Sequence, residues 1–277
     1  MRQFVSAASP NSKGLLEISG KDFHYLRKVL RLAVGDMINL SLPGGLLQDA
    51  TVCKVDDGVK KLTLQVCGTE PADGNSLQGK SAAGSNGLQG LNGGAPRTVM
   101  TLLQFIPKPQ KMELIVRQAT ECGVANVVPV IGEYTQGGSE KALQKPDRFE
   151  KIIREARQQS GSQVETKIFQ PQKLEAALGL IDKIEPNALR LFLYERTDGT
   201  LSFSDALFGK KQGCSQAQAA AARSCVFAVG SEGGISPAEF ELFLTKGYKA
   251  VHFNTNILRC ETAALYAAAA IQSALDN

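Results

Sequence analysis

One stretch, Pro71 to Pro96, divides this chain into two parts with different rhythms. It reads PADGNSLQGKSAAGSNGLQGLNGGAP and holds seven of the 27 glycines but only two charged residues. No apolar periodicity runs through it, so it reads as a flexible linker or a long surface insertion. A chain of 277 residues is long enough for about two domains. The boundary therefore falls here, with one domain at 1–70 and a second at 97–277. A second polar stretch, Gly209 to Ser224, contains QAQAAAA and reads as a loop insertion.

Before the boundary, short β-type segments dominate: Leu15–Ile18, Met37–Leu42, Ala50–Val55 and Leu62–Val66. Turn residues separate them. One helix interrupts, predicted over Lys21–Arg31. Its apolar positions Phe23, Leu26 and Leu30 face one way, and His24, Arg27, Lys28 and Arg31 another. A small β-barrel with one cationic helix outside fits this pattern, and so does a plain solvated helix face.

After the boundary, strands alternate with helices. Strands are predicted at Thr98–Phe105, Asn126–Ile131, Val164–Phe169, Ala188–Tyr194, Cys225–Val229 and Lys249–Phe253. Helices are predicted at Gln110–Cys122 and Asp147–Gln159 from their i, i+3, i+4, i+7 spacing. A third begins at the capping box Ser236-Pro237-Ala238-Glu239. This alternation implies an α/β fold with a mostly parallel sheet, whose ligands sit at the carboxyl ends of the strands.

Composition excludes several classes. Hydrophobic residues at 43% and charged residues at 21% suit a soluble globular protein. No apolar run approaches the roughly 18 residues that cross a bilayer, and the N-terminus lacks a signal-peptide layout. A cytoplasmic location is expected. The six cysteines form no C-x-x-C pair and only two histidines accompany them, so no metal site is expected. The net charge of +4 permits a nucleic-acid partner without demanding one.

Two strand-to-helix loops could carry chemistry. The first, Val229-Gly230-Ser231-Glu232-Gly233-Gly234-Ile235-Ser236-Pro237, has three glycines that let a ligand approach the backbone. It matches neither dinucleotide nor nucleoside-triphosphate fingerprints, and its central acid suits a cationic or hydroxyl-bearing ligand. The second runs from Phe253 to Ala263, with Arg259 and Glu261 at the start of an alanine-rich helix. Each loop alone could be a tight turn or a salt-bridged helix start.

Together, VGSEGGISPAE and NILRCETAALYAAAAIQ resemble the signature of the ribosomal small-subunit methyltransferase E family. MRQF, HYLRKVLRLAVGD, KPQKMELIVRQATECGVANVVPV and RFEKIIREARQQSG extend the likeness in order along nearly the whole chain. The resemblance implies an N-terminal PUA-like barrel that helps bind RNA. It also implies a C-terminal domain of the SPOUT superfamily with a trefoil knot, acting as a homodimer. It implies methyl transfer from S-adenosylmethionine to N3 of a uridine in 16S rRNA, free or in the assembled small subunit. The chain departs from the family pattern at Ser231 (usually proline), Asn254 (glycine), Tyr134, Ser162 and Asn256 (arginine) and Gln118 (lysine). Alternatives are a related knotted methyltransferase acting elsewhere on RNA, or a non-catalytic RNA-binding or ribosome-assembly factor.

The resemblance also implies roles for residues. Leu193, Glu195, Val229, Gly230, Glu232, Gly233, Gly234, Asn254, Ile257, Leu258, Arg259 and Thr262 would hold the cofactor. His24, Arg27, Lys28, Arg31, Lys108 and Lys111 would meet RNA. Uracil N3 becomes nucleophilic as its proton leaves and charge spreads to the flanking oxygens. Arg259 would stabilise that charge, and Glu232 or Glu261 would accept the proton, a helix-cap role for Glu261 being the alternative.

Overall fold

A computed structural model describes residues 3–43, 47–67, 98–143, 146–208 and 224–276. The stretches 71–96 and 209–223 lie outside the described residues; Ser224 already belongs to a strand. The chain forms two compact units. The first takes the described residues up to 67 together with Arg157–Glu165; the second takes the remaining described residues, from 98 onward.

In the first unit, β1 (Gln3–Val5), β2 (Leu15–Ser19), β3 (Met37–Ser41), β4 (Leu47–Asp56) and β5 (Lys61–Val66) form a sheet ordered β1-β3-β4-β5-β2. Only the β1–β3 pairing is parallel. Period-two alternation decides which side chains go inside. In β5, Leu62, Leu64 and Val66 are buried while Lys61, Thr63 and Gln65 stay half-exposed. A register shift between Val52 and Lys54 interrupts the β4–β5 ladder.

The helix expected over Lys21–Arg31 forms only in part. α1 (Gly20–His24) gives way to a π-helical turn at Tyr25–Val29, and Arg31 stands in the left-handed region at φ 57°. The turn keeps both Leu26 and Leu30 in the core. It also carries Arg27 onto Asp57, with Nε donating to Oδ1 and Nη2 to Oδ2, each at 3.1 Å. The expected four-cation stripe is therefore not a single helical face. His24, Lys28 and Arg31 are exposed, whereas Arg27 is held in a forked ion pair.

The second unit is built on a parallel sheet. Its strands are β6 (Val99–Phe105), β7 (Asn126–Ile131), β8 (Lys167–Ile168), β9 (Gln172–Lys173), β10 (Leu189–Leu193), β11 (Leu201–Ser202), β12 (Ser224–Val229) and β13 (Lys249–His252). They are ordered β11-β13-β10-β12-β6-β7-β8, with β9 also pairing to β7. The central strands are covered on both faces, which is why β6 and β12 read as unbroken apolar runs.

One face carries α2 (Pro109–Glu121), α4 (Pro146–Ser160), α6 (Phe203–Phe208) and α8 (Cys260–Leu275). Ala264, Ala267 and Ala268 of α8 have no side chain beyond Cβ, so that helix lies close on α2 and β12. The other face carries α5 (Leu174–Ile184) and α7 (Pro237–Thr245), whose Phe243 packs on Phe105 and Phe192 of the sheet. Helix α5 was not named from the sequence, although Leu174, Ala177, Leu178 and Ile181 carry the same i, i+3, i+4, i+7 spacing. A short α3 (Ser139–Ala142) follows β7. No helix among the described residues is long and apolar enough to cross a membrane.

The capping box of α7 is fully formed. Ser236 Oγ accepts from Glu239 N–H at 3.3 Å, and Glu239 Oε2 accepts from Ser236 N–H at 2.8 Å. The second carboxylate oxygen accepts from Glu133 N–H at 2.7 Å, which pins the turn after β7 to the start of α7. Ser236→Ala is expected to cost about 1 kcal/mol, read as a melting temperature lower by about 2–4 °C. An unchanged melting curve would show that Glu239 alone holds the cap.

Candidate functional site

The carboxyl ends of β10, β12 and β13 open into one cavity of about 310 Å³. Its wall comes from the loops that follow these three strands, together with Leu193, Val229 and Val251 at the strand ends and Cys260 and Ala263 of α8. This is where a parallel sheet places its ligand.

Close backbone packing shapes the glycine-rich loop. Gly234 N–H donates to the Ser231 carbonyl at 3.0 Å, folding the chain back so that Gly230 lies against Gly234. A Cβ at Gly230 would stand 2.8 Å from the Gly234 carbonyl carbon, closer than real atoms approach. Gly234 itself has φ 78°, a conformation that side chains disfavour. Below the loop, the fully buried Gln104 at the end of β6 donates from Nε2 to the carbonyls of Val229 and Gly230 at 3.3 and 3.2 Å. Gln104 thus fixes the point where strand becomes loop.

The electrostatic centre is Lys111 on the first turns of α2. Its Nζ lies 3.4 Å from Glu232 Oε1 and 3.3 Å from Glu261 Oε2, so one ammonium joins the glycine loop to the start of α8. Lys108 N–H adds a bond to Glu232 Oε1 at 3.3 Å, and Cys260 Sγ donates to Glu261 Oε2 at 3.2 Å. Burial alone would push the Glu232 carboxyl up. Backbone N–H groups of Glu232 and Lys108, with the Lys111 ammonium, outweigh it and hold the group below the usual range. Glu261 follows the same balance: burial is outweighed by its own N–H, the Cys260 thiol and Lys111. Burial and the adjacent Glu261 push the Cys260 thiol up to about 12, so it stays a protonated donor.

The two carboxylates titrate lower when folded than unfolded. Their contribution to stability is present above about pH 4.3, the ordinary glutamate value, and is lost as pH falls through the folded values. Removing the ammonium with Lys111→Met should therefore move acid unfolding to higher pH, followed by far-UV circular dichroism. An unmoved midpoint would mean that the backbone donors alone hold both carboxylates.

The cavity collects many of the residues singled out from the sequence. Leu193, Glu195, Val229, Gly230, Glu232, Gly233, Gly234, Ile257 and Leu258 line it. Asn254, Arg259, Glu261 and Thr262 do not. Arg259 is the exposed N-cap of α8, between the lining residues Leu258 and Cys260. Glu261 lies behind the wall, joined to Glu232 through Lys111. Lys111, assigned to RNA by resemblance, is engaged with both acids, whereas Lys108 is exposed at the N-cap of α2. Tyr194, Ser231, His252, Phe253 and Asn256 also line the cavity and were not assigned to the cofactor.

Residues 95–272 match the family described as RNA methyltransferase domain. The chain belongs to that family. It is similar to ribosomal RNA small subunit methyltransferase E of Aquifex aeolicus, 32% identical over 61% of this chain and 66% of that one. The ribosomal RNA small subunit methyltransferase E 2 of Borreliella burgdorferi is 26% identical over 93% of this chain and 90% of its own. Among solved structures, the Neisseria gonorrhoeae ribosomal RNA small subunit methyltransferase E bound to S-adenosyl methionine superposes with a TM-score of 0.73 at 21% identity. That likeness covers 99% of this chain and 98% of the other, so the fold is shared end to end.

Proposed function

We propose that this chain transfers a methyl group from S-adenosylmethionine to N3 of a uridine in small-subunit ribosomal RNA. The observation that carries the reading is the cavity at the ends of β10, β12 and β13, inside the segment that matches an RNA methyltransferase domain. Its chemistry fits the cofactor. Gly230 and Gly234 expose backbone where a small polar group can approach, Leu193, Val251 and Phe253 offer an apolar slot, and Glu195 and Glu232 supply negative charge. When bound, S-adenosylmethionine supplies an electrophilic methyl on a positively charged sulfur.

The protein's part is placement and charge. Glu232, kept anionic by Lys111 and two backbone N–H groups, faces the cavity and can attract a cationic centre or accept a hydrogen bond from uracil N3. Its low pKa makes it a weak base, so Glu232 orients the N3 proton and lowers the cost of its departure to water. Glu261 balances Lys111 from behind. Arg259, exposed at the cavity's edge, is placed to meet the uracil oxygens as charge builds on them. Uracil N3 lies on the Watson–Crick edge, so the target base must be unpaired or flipped out.

The same reading carries a trefoil knot in the parallel-sheet unit, a PUA-like barrel in the first unit, a homodimer and a cytoplasmic site of action. His24, Lys28 and Arg31 would supply phosphate contacts, and their triple replacement by glutamine should flatten the salt dependence of RNA binding by about three log–log units. An unchanged slope would make them solvent-facing charges only. The function itself is tested by methylation of small-subunit RNA taken from cells that lack this protein.

A further inference from the structure

We infer that Tyr134 is a stacking platform for an unpaired RNA base, the strand neighbour of the base that enters the cavity. The inference rests on the methyltransferase reading and deepens it, assigning a base contact at the cavity's rim.

Tyr134 stands in the turn that follows β7, and three hydrogen bonds hold that turn. Thr135 N–H donates to the Gly132 carbonyl at 3.1 Å, and Gly132 N–H donates to Thr135 Oγ1 at 2.9 Å. Glu133 N–H donates to Glu239 Oε1 at 2.7 Å, which ties the turn to α7. The Tyr134 side chain then lies on Gly233 of the glycine-rich loop. A Cβ at Gly233 would stand 2.7 Å from Tyr134 Cβ, and 3.1 and 3.2 Å from its Cγ and Cδ2. Glycine at 233 therefore makes the room that the side chain occupies. With its backbone pinned and its inner end seated on the loop, the ring is positioned before any ligand arrives.

An aromatic side chain held this firmly normally serves a core, yet Tyr134 is 45% exposed. Among the described residues it meets no other ring, and its hydroxyl has no hydrogen-bond partner. Tyr266, which is about as exposed, rests its ring on Phe253 at 4.7 Å. A positioned ring left open to water loses little freedom on binding. Aromatic side chains in that condition stack on unpaired bases.

The neighbouring charges favour a base over a phosphate at this spot. Glu133 precedes Tyr134 and Glu232 precedes Gly233, and both carboxylates repel an anion. Neither opposes an uncharged base. Lys108, exposed and bonded through its N–H to Glu232 Oε1 at 3.3 Å, supplies a cation for the strand's phosphates on the same rim. Gly233 lines the cavity and Tyr134 does not, so the loop stands between the ring and the cavity's interior. The base on Tyr134 therefore flanks the one that is methylated.

The test crosses a residue change with a ligand change in the full-length chain with S-adenosylhomocysteine present. An oligouridylate of about ten nucleotides is compared with a strand of equal length whose sugars carry no bases. Both present the same phosphates. Tyr134→Ala should cut the wild-type preference for the base-bearing strand by about tenfold, the usual value of one stacked base. Its affinities for the base-free strand and for the cofactor should stay within about twofold of wild type. Tyr134→Phe, which keeps the ring, should keep the preference. An undiminished preference in Tyr134→Ala, or equal losses toward both strands, would overturn the assignment. A matching loss of cofactor affinity would also overturn it and make Tyr134 a prop for Gly233. The two readings separate cleanly. If wild type methylates RNA and Tyr134→Ala keeps the base preference, the stacking site fails alone. If the preference falls as expected but wild type methylates no RNA, the methyltransferase reading fails and the stacking site stands.

Discussion

Gly230→Ala is expected to weaken cofactor binding by about 100-fold, a change of about 2.7 kcal/mol. The added Cβ would meet the Gly234 backbone at 2.8 to 3.0 Å. Backbone cannot swing aside as the end of a side chain can, so the loop must open and the cavity loses its floor. Gly234→Ala provides the contrast. There the Cβ would stand 3.6 Å from the nearest Glu195 oxygen, which leaves room, and only the left-handed φ resists, at about 1–2 kcal/mol. Gly234→Ala should therefore lower thermal stability yet bind the cofactor within about fivefold of wild type. Calorimetry with S-adenosylhomocysteine separates the two. Equal losses in both variants would mean that loop flexibility matters rather than the close approach of Gly230 to Gly234.

Arg259→Ala should show the opposite signature. Arg259 is exposed and lies outside the cavity wall, so the cofactor's dissociation constant should stay within about threefold. The turnover rate should fall by about 100- to 1000-fold, the usual loss when a donor to a developing negative charge is removed. Its backbone carbonyl still accepts from Ala263 N–H at 2.7 Å in the variant, so the start of α8 should hold and the melting curve should barely move. A large loss of cofactor affinity with unchanged turnover of the bound enzyme would make Arg259 a cofactor residue instead.

Much of the second unit was legible because its signals are local. The apolar runs of β6 and β12, the spacing in α2 and α4 and the Ser236–Glu239 box each lie within one element, and each formed within a residue or two of its expected bounds. The π-helical turn was not legible. Phe23, Leu26 and Leu30 fit an ordinary helix, and the residue that Arg27 meets across the turn, Asp57, is thirty residues away. The bridge of Lys111 to Glu232 and Glu261 was hidden for the same reason, since α2 and the two loops are distant in sequence and meet only through sheet order. The signature loops named the cavity's backbone, but not His252. Attention to loops passes over the last residue of a strand, whose Nδ1 lies 2.8 Å from Oγ1 of a threonine 52 residues earlier.

The central claim is the methylated atom. An N3-methyl group blocks the Watson–Crick edge of uridine, so reverse transcriptase halts beside it. Small-subunit RNA from cells lacking this protein should be missing one such stop, and purified protein with S-adenosylmethionine should restore it, with mass spectrometry placing the new methyl on the uracil base. A methyl found on a ribose instead, or no modification of small-subunit RNA by protein that demonstrably binds the cofactor, would contradict the account.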